Sequence, residues 1–551
     1  MANQKQSEIS IAIRKILSLL WLDKGDITAI YIYSIFAGLV SLSLPLGIQT
    51  IIGFVQAGSI STSIVVLIAL VLLGTFIAGF LQVRQLQLIE KIEQKLFVRY
   101  SIEYAERLPL LDIQKLNKYH LPELVNRFFD APGLQKSLHK LLVDIPSAII
   151  QILFGVLLLS FYHPLFIAFG LILLAIIVLI LRFTSNKGFS TSIETSDYKF
   201  KSASWLEEMA RGVKTFKYAR HTTLHLKKMD GLLSRYLNAR TSHFGVLKFQ
   251  YWSLIVFKVI ITAAMLILGV TLLVDQQINI GQFIASDIVI LLILGSVEKM
   301  IGNMDQVYES LTAVEKLDKV AKAALEVSGT FELSAKEEGI SVEMTDVTFG
   351  YEENETVLNN LNLKVEPGEW LLIHGSSGSG KTSVLRLLTG SFRKRSGQIL
   401  IDGLPIGNYD NVSLRKQMGI LLGKQNIFEG SILENITLGD NELDLALVKK
   451  VCGLTGLGEF IGKTEDGMNT ILEPFGRQLS SKEVHQILLS RAILLQNRLT
   501  LMEEPFRYLS EEQIEGIVNY LKETKTTVIL ASEYMANAKW CDKVIELKQN
   551  A

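Results

Sequence analysis

Three stretches of the sequence contain neither lysine nor arginine: residues 25–83, 141–181 and 259–298. Each is apolar and long enough for two helices of about 20 residues, the length that crosses the hydrocarbon core of a bilayer. A short break divides each stretch in two: "VQAGS", His163-Pro164 and "DQQIN". Buried helices of a large soluble core are the alternative, but they do not explain six apolar runs arranged as three hairpins. The predicted membrane spans are approximately residues 27–52, 60–83, 143–162, 164–183, 253–274 and 280–298.

The basic residues predict how these spans are oriented. The long connections 84–140 and 182–258 are rich in lysine and arginine, whereas the short hairpin turns contain none. Because cytoplasmic loops carry the excess of basic residues, we expect the long connections and both termini in the cytoplasm. Residues 8–22 have apolar positions at helical spacing, which indicates an interfacial helix leading into the first span. These patterns predict a multi-pass protein of the inner (plasma) membrane, surrounded by lipid bilayer.

The overall charge argues against one class of partner. The sequence has 55 lysine and arginine residues and 55 aspartate and glutamate residues. No net field therefore attracts a polyanion, and we expect no nucleic-acid partner. The two cysteines, Cys452 and Cys541, form no metal-binding spacing and suggest no disulfide framework.

The character of the sequence changes after about residue 325. Short apolar runs such as "WLLIHG", "LTLME" and "TTVILAS" alternate with helical stretches such as "SVLRLLTG" and "EVHQILLSRAILL". Alternating strands and helices predict a largely parallel sheet with helices on its faces. We therefore expect a transmembrane domain over residues 1–325, a charged linker over 326–340 and an α/β domain over 341–551.

The motif "GSSGSGKT" at residues 375–382 follows a predicted strand and opens a predicted helix, which is the context that a phosphate-binding loop requires. Its glycines allow successive backbone N–H groups to face phosphate oxygens. Lys381 supplies positive charge at the outer phosphates, and the Thr382 hydroxyl can reach Mg²⁺. A Gly/Ser-rich turn without a ligand is the alternative, but it does not explain a lysine and a threonine in this register.

Six spans with long cytoplasmic extensions, followed by this loop, resemble an ATP-binding cassette (ABC) exporter half-transporter over nearly the whole chain. The implied fold is an α-helical six-span transmembrane domain followed by an α/β P-loop ATP-binding cassette domain. Tyr351 matches the aromatic residue that stacks on adenine, and Gln425 matches the glutamine that senses Mg²⁺ and the attacking water. The segments near "HLPELVNRFFD" and "EEMARGVKTFKYAR" match the cytoplasmic loops that couple spans to cassettes. The resemblance implies ATP and Mg²⁺ as ligands, with Thr382 and Gln425 near the metal. The implied ATP-binding residues are Tyr351, Gly375, Ser376, Ser377, Gly378, Ser379, Gly380, Lys381, Thr382, Ser383 and Gln425.

The resemblance fails at the positions that serve hydrolysis. The family signature Leu-Ser-Gly-Gly-Gln is replaced by "LSSKE", which places Ser480, Ser481, Lys482 and Glu483 where small glycines and a glutamine are usual. In the family this motif reaches the γ-phosphate of the nucleotide on the opposite subunit. The bulkier side chains and the added carboxylate are expected to hinder close approach of the backbone to an anion.

Three further departures follow downstream. The Walker B aspartate is replaced by Glu503, and the D-loop reads "RYLS". The histidine that contacts the γ-phosphate is missing, and its place is taken by Glu533, or by Ser532 if the register shifts by one. Glu504 remains in the position of the base that polarises the attacking water. We therefore expect the chain to bind ATP, with Glu504 as the candidate catalytic residue of a slow or incomplete ATPase.

The resemblance implies a dimeric exporter that couples ATP binding to substrate efflux. The dimer is either a homodimer or a heterodimer with a second half-transporter, whose intact signature motif would complete the site around Lys381. A neighbouring gene for a periplasmic adaptor would favour a multi-component export system. A nucleotide-gated regulatory or channel-like membrane module, with little ATPase activity, is the alternative.

One charged residue interrupts the sixth predicted span. Asp287 lies about eight residues, or roughly 12 Å, from the outer end at Asn279. A carboxylate in an apolar span is costly, so it usually faces protein or water. Asp287 is therefore either an outer-end residue that faces a wet cleft or a helix partner, or a residue of the translocation path.

Overall fold

The computed structural model describes residues 2–57, 62–116, 125–219, 222–334, 336, 338–352, 355–423, 425–440, 442–494 and 497–548. The chain divides into two compact units, which we call the membrane unit (Met1–Leu110 with Lys118–Ala323) and the cassette unit (Leu111–Asn117 with Ala324–Ala551). The predicted turn "VQAGS" and the predicted loop "HLPELVNRFFD" lie partly outside the described residues. All the predicted site residues lie inside them.

The membrane unit is entirely helical where it is described. Its α-helices are Ala2–Trp21, Lys24–Ser41, Ser43–Gln56, Thr62–Arg107, Asp130–His139, Ile145–Tyr162, Leu165–Arg211, Val213–Tyr218, Leu224–Val274, Ile280–Gly302 and Met304–Ala321. Six helical segments in the described part are long and apolar enough to cross a membrane: Lys24–Gln56, Thr62–Leu110, Arg127–Tyr162, Leu165–Arg211, Leu224–Val274 and Ile280–Lys319. The helix Leu224–Val274 alone is about 75 Å long at 1.5 Å per residue, well beyond the thickness of a bilayer.

Local sequence explains where two of these segments break or begin. The first span is interrupted at Leu42, just before Pro45, because a proline lacks the N–H that would continue the helical hydrogen bonds. The sixth span begins with a capping box: the Asn279 side chain accepts from the Gln282 N–H at 2.8 Å, and the Gln282 side chain accepts from the Asn279 N–H at 2.9 Å.

Packing within the membrane unit separates a core from a surface suited to lipid. Large apolar side chains are exposed along the spans, including Phe76 (71% exposed), Phe161 (78%) and Ile267 (70%). Such a surface would promote aggregation in water but is the normal outer face of a protein in a bilayer. The buried cluster draws on several spans and includes Ile152, Phe166, Leu173, Phe257, Met265, Val289, Ile293 and Val297.

The cassette unit combines two main sheets. Its strands are β1 (Val342–Phe349), β2 (Leu358–Val365), β3 (Trp370–His374), β4 (Ser396–Ile401), β5 (Leu404–Pro405), β6 (Met418–Leu421), β7 (Gly430–Ser431), β8 (Ile471–Leu472), β9 (Leu499–Glu503), β10 (Thr527–Ser532) and β11 (Lys543–Glu546). A parallel sheet has the order β11-β3-β10-β9-β6, an antiparallel sheet has the order β2-β1-β4-β5, and β7 pairs with β8. The α-helices are Lys381–Leu388, Asn411–Lys416, Ile432–Thr437, Leu445–Leu454, Gly458–Ile461, Ser481–Leu494 and Glu511–Glu523, with Ile113–Leu116 from the earlier segment.

The antiparallel sheet differs from the largely parallel arrangement that the sequence predicts. Strand β10, at the centre of the parallel sheet, is buried along its whole length, as expected for a sheet covered on both faces. Strand β2 instead alternates between buried and exposed residues, which is typical of a sheet with one solvated face. The alternation in "NLNLKV" was the signal for this second sheet.

The segment predicted as a linker is fastened to the cassette in its described part. Backbone hydrogen bonds join Gly329, Thr330 and Phe331 to Asn408 and Tyr409. The buried guanidinium of Arg498 then donates to three carbonyls of the segment, those of Ser334, Glu338 and Gly339. The segment is therefore an ordered border of the cassette unit along these residues.

Candidate functional site

The parallel sheet brings the predicted site residues to one edge. Parallel strands end at the same edge of a sheet, and here Ser532 at the end of β10 pairs with His374 at the end of β3. Glu503 at the end of β9 pairs with Ala531 of β10. The phosphate-binding loop follows β3 at this edge, so sheet register places it beside Glu503, Glu504 and Glu533. Ligands of open α/β sheets bind outside the carboxyl ends of the strands.

The loop between β3 and the helix Lys381–Leu388 has the shape of a phosphate cradle. Gly375, Gly378 and Gly380 have φ angles of 157°, 81° and 96°. A Cβ atom on Gly375 would lie 2.6 Å from the Ser379 hydroxyl, so a side chain there would close the loop. Ser379 Oγ is buried and has no hydrogen-bond partner in the described part of the chain. A tight turn with an unsatisfied inward hydroxyl fits a phosphate oxygen.

Lys381 is folded inward across this cradle. Its ammonium donates to the carbonyls of Gly375 at 2.7 Å and Ser376 at 2.8 Å. Its third neighbour is the carboxylate of Glu533, whose Oε1 lies 3.7 Å from Lys381 Nζ. The side chain of Lys381 is 10% exposed. The ammonium predicted to face the outer phosphates is thus placed at the mouth of the loop.

Glu503 retains a position suited to a metal-bound nucleotide, despite its extra methylene. The Thr382 hydroxyl donates to Glu503 Oε1 at 2.5 Å, and the Gly423 N–H donates to Glu503 Oε2 at 2.8 Å. A hydroxyl and a carboxylate side by side are the hard oxygen ligands that Mg²⁺ prefers. Thr382 and Glu503 therefore fit a Mg²⁺ ion carried in with the nucleotide.

Glu504 is held by hydrogen bonds at both carboxylate oxygens. Oε2 accepts from the Ser532 hydroxyl at 2.7 Å, and Oε1 accepts from the Glu533 N–H at 2.6 Å. Ser532 is itself oriented by the Asn537 amide, which donates to its hydroxyl at 2.9 Å. The backbone of Glu504 has a φ of 47°, a left-handed value that costs energy for a residue other than glycine. Sequence reasoning identified Glu504 but missed this clamp.

Gln425 and Tyr351 make contacts with the protein itself. The Gln425 amide donates to the Ile420 carbonyl at 3.1 Å and accepts from the Leu422 N–H at 3.3 Å. The Tyr351 hydroxyl bonds to Ser383 Oγ at 2.9 Å. The Tyr351 ring packs edge-on against Phe349 and Phe392. Tyr351 and Ser383 are thus brought together beside the phosphate-binding loop, whereas the amide of Gln425 is turned back towards the end of β6.

The replaced signature motif forms a helix cap. Ser480 precedes the helix Ser481–Leu494, and its N–H donates to Glu483 Oε2 at 2.6 Å. The Glu483 N–H returns a bond to Ser480 Oγ at 3.3 Å. The sequence pattern Ser-x-x-Glu is typical of such a capping box. The carboxylate of Glu483 therefore lies at the helix N-terminus, the position where an anion would otherwise be stabilised.

His485 joins the signature helix to the loop after Glu504, a link that sequence reasoning missed. Its Nε2 lies 2.8 Å from the Pro505 carbonyl, and its ring packs against that of Tyr508. Burial lowers the pKa of His485, which favours the neutral ring that donates from Nε2. Only the position of His485, two residues after the signature motif, could have pointed to this role.

Asp287 is a half-buried residue of the helix Ile280–Gly302. No hydrogen-bond or ion-pair partner faces it among the residues that the structure describes. Its neighbour Ser286 is fully buried and is satisfied by the Gln282 carbonyl at 2.7 Å. An unpaired carboxylate at this place requires water or a ligand for its solvation.

Two family models match the chain. The model of the ABC transporter transmembrane region matches residues 27–297, and the model described as ABC transporter matches residues 358–507. The second range includes the phosphate-binding loop, the signature helix and both Glu503 and Glu504. The two matches follow one another in the order of the membrane unit and the cassette unit.

Individual proteins show the same likeness. The chain is 26% identical to the cyclolysin secretion/processing ATP-binding protein CyaB of Bordetella pertussis over 364 residues, 64% of this chain and 50% of that protein. It is 24% identical to the lactococcin-A transport/processing protein LcnC of Lactococcus lactis over 488 residues, 87% of this chain and 67% of that protein. The chain thus spans about half the length of the first of these curated relatives.

A solved structure matches the fold along almost the whole chain. It is a bacterial Atm1-family ABC exporter with ATP bound, and the match has a TM-score of 0.82. The alignment covers 98% of this chain and 94% of that one, at 16% sequence identity. At this identity the likeness concerns the fold: six spanning helical segments followed by an α/β nucleotide-binding domain.

Proposed function

The chain belongs to the ABC transporter family, and on that premise we propose that it is one half of a dimeric exporter that binds ATP but hydrolyses it slowly when alone. One observation carries the proposal: the phosphate cradle around Lys381 is fully formed, whereas the groups that serve hydrolysis are tied to the protein. Glu504 is held at both oxygens, and Glu483 caps the signature helix. This arrangement supports a cassette that binds nucleotide without hydrolysing it efficiently.

We expect ATP to bind in this cassette with Mg²⁺. Lys381 and the backbone of the loop would hold the outer phosphates, while Thr382 and Glu503 would accompany Mg²⁺. Tyr351 would offer a ring face to adenine. Gln425 would approach the metal once its amide has released the Ile420 carbonyl and the Leu422 N–H. Neutralising charge on the outer phosphates is the main task of such a site.

The replacement of the signature motif indicates which kind of dimer partner would complete the nucleotide site. In the family, the signature of one subunit completes the nucleotide site of the other. In a homodimer both sites would meet "LSSKE", whereas a second half-transporter with an intact motif would complete the site around Lys381. We therefore favour a heterodimer. Its second nucleotide site, built on the partner's phosphate-binding loop, would still be completed by the "LSSKE" helix of this chain.

The experiment is ATP turnover by the full chain purified in lipid, alone and with any half-transporter that co-purifies. We expect turnover to rise at least tenfold when the partner is present. Equal turnover with and without the partner, normalised to this chain, would remove the heterodimer from the proposal. The membrane would be the inner membrane, and a periplasmic adaptor that co-purifies would extend the assembly to multi-component export.

The clamp on Glu504 also supports the second candidate, a nucleotide-gated membrane module without turnover. In that case ATP would change the conformation of the spans, and no hydrolysis would be needed to reset them. Substrate efflux that requires ATP but continues with a non-hydrolysable analogue over many cycles would favour this candidate over the exporter.

Asp287→Asn should alter transport without changing nucleotide binding. The carboxylate is half-buried and unpaired in the described part of its surroundings, so a substrate or water is its natural partner on the translocation path. We expect transport, or substrate stimulation of ATP turnover, to change severalfold in vesicles. Asp275→Asn, at the exposed turn before the sixth span, is the matched control. Unchanged transport across pH, with normal membrane insertion, would leave Asp287 a structural role only.

A further inference from the structure

Glu533 lies next to the phosphate cradle, near the place where the resemblance implies a histidine. It follows directly after β10, and its N–H donates to Glu504 Oε1 at 2.6 Å, so its backbone is fixed. Its carboxylate Oε1 lies 3.7 Å from Lys381 Nζ, and its side chain is 51% exposed. The carboxylate is thus positioned at the mouth of the cradle while keeping part of its hydration.

The Lys381 ammonium consequently has three oxygen neighbours from its own chain. Two are the loop carbonyls of Gly375 and Ser376, and the third is the Glu533 carboxylate. The carbonyls are neutral, so exchanging them for phosphate oxygens removes no counter-charge from the ammonium. The carboxylate instead competes directly with a phosphate for the ammonium, since both are anions.

The outermost phosphate of a bound nucleotide would be disfavoured most by these carboxylates. Like charges close together repel, and Glu504 adds a second carboxylate whose Oε1 accepts from the Glu533 N–H. In a phosphate-binding loop the backbone N–H groups hold the α- and β-phosphates and the lysine reaches the β- and γ-phosphates, so the last phosphate of a nucleoside diphosphate would lie farther from these carboxylates than a γ-phosphate. A triphosphate brings one more phosphate towards Glu533 and Glu504.

We propose that Glu533 makes this cassette select against the terminal phosphate, so that a nucleoside diphosphate binds at least as tightly as the triphosphate. The proposal rests on the proposed function, because it assumes that the nucleotide enters the loop around Lys381. Exchange of ADP for ATP would then add little to the closure of this cassette. The closing step of the dimer would depend on the partner's nucleotide.

Equilibrium titration of ADP and of ATP, each with Mg²⁺, tests this on the full chain in lipid nanodiscs. For the natural chain we expect an ATP dissociation constant equal to or larger than that of ADP. In Glu533→Gln, ATP should bind about tenfold tighter, which corresponds to about 1.4 kcal/mol, while ADP should change less than about twofold. Phosphate release is followed in the same samples, so that turnover does not distort the titration.

A matched control is Glu523→Gln, which removes the same charge from an exposed residue at the end of the helix Glu511–Glu523. It should leave both dissociation constants unchanged. The Glu533→Gln variant keeps the backbone N–H that donates to Glu504 Oε1, and an unaltered melting temperature confirms folding. Glu533→Ala serves as a second variant and should show the same shift for ATP alone.

Two outcomes separate the inference from its premise. If both nucleotides bind but Glu533→Gln changes neither, or changes both alike, the selection against the terminal phosphate is wrong and the nucleotide site stands. If the natural chain binds neither ADP nor ATP, the proposed function fails and the inference fails with it.

Discussion

Replacing Lys381 with alanine should weaken ATP binding by about a hundredfold or more. Its ammonium already lies across the cradle, at 2.7 Å and 2.8 Å from the carbonyls of Gly375 and Ser376. On binding it would exchange these for oxygens of the outer phosphates. Hydrogen bonds to a charged group are worth about 1.5–3 kcal/mol each, and a hundredfold loss is about 2.7 kcal/mol. The measurement is the ATP dissociation constant of the purified variant in lipid.

The control for this variant is Lys449→Ala, which removes an exposed lysine from the helix Leu445–Leu454 of the same cassette. Its affinity should match that of the natural chain. ADP binding by Lys381→Ala should also fall, because both nucleotides place phosphate at the ammonium. An unchanged dissociation constant for ATP would show that nucleotide does not enter this loop.

Restoring the family pattern at the two replaced sites should raise ATP turnover by about a hundredfold. The variant combines Glu533→His with Ser481→Gly, Lys482→Gly and Glu483→Gln. It removes the carboxylate that caps the signature helix and the one that faces Lys381. Each group lost from the transition state costs on the order of tenfold to a hundredfold in rate, so two restored groups reach this magnitude. Phosphate release by the purified chain is the measurement.

Glu504→Gln in the restored background is the decisive control. Glu504 would orient and polarise the attacking water, so the additional change should return turnover to the level of the natural chain. If the restored variant gains nothing, the obstacle lies instead at Glu503 or in the loop "RYLS". If it gains turnover that survives Glu504→Gln, another group is the base.

The sequence was sufficient for the phosphate cradle and the spans because both depend on strong local patterns. A glycine-rich loop with Lys381 and Thr382 in register, placed between strand and helix, has few other uses. An apolar stretch of about 20 residues is likewise specific for a bilayer. In both cases the chemistry is carried by consecutive residues, so no distant contact had to be known.

The clamp on Glu504 could not be predicted in this way. It requires Ser532 and Glu533 at the end of β10 to meet Glu504 after β9, which depends on the register of two parallel strands. The orientation of Gln425 could not be predicted either, because its amide can bond either to a ligand or to the backbone just before it at Ile420 and Leu422. Contacts across strands are decided by packing rather than by local pattern.

The cap on the signature helix is a different case, because its signal was visible. Ser480 and Glu483 follow the Ser-x-x-Glu pattern, and Ser510 with Gln513 forms the related Ser-x-x-Gln box at the next helix. Because "LSSKE" departs from the family signature, its second pattern, a helix cap, is easily overlooked. The same carboxylate that departs from the family pattern stabilises the start of the helix.

The most direct test of the central claim measures ATP binding and ATP turnover on one sample of the full chain, purified alone in lipid nanodiscs with Mg²⁺. The account predicts saturable binding, abolished by Lys381→Ala, together with turnover below about 0.1 s⁻¹, at least tenfold under the usual enzyme range. Turnover above about 1 s⁻¹ by the chain alone, lost in Glu504→Gln, would contradict it.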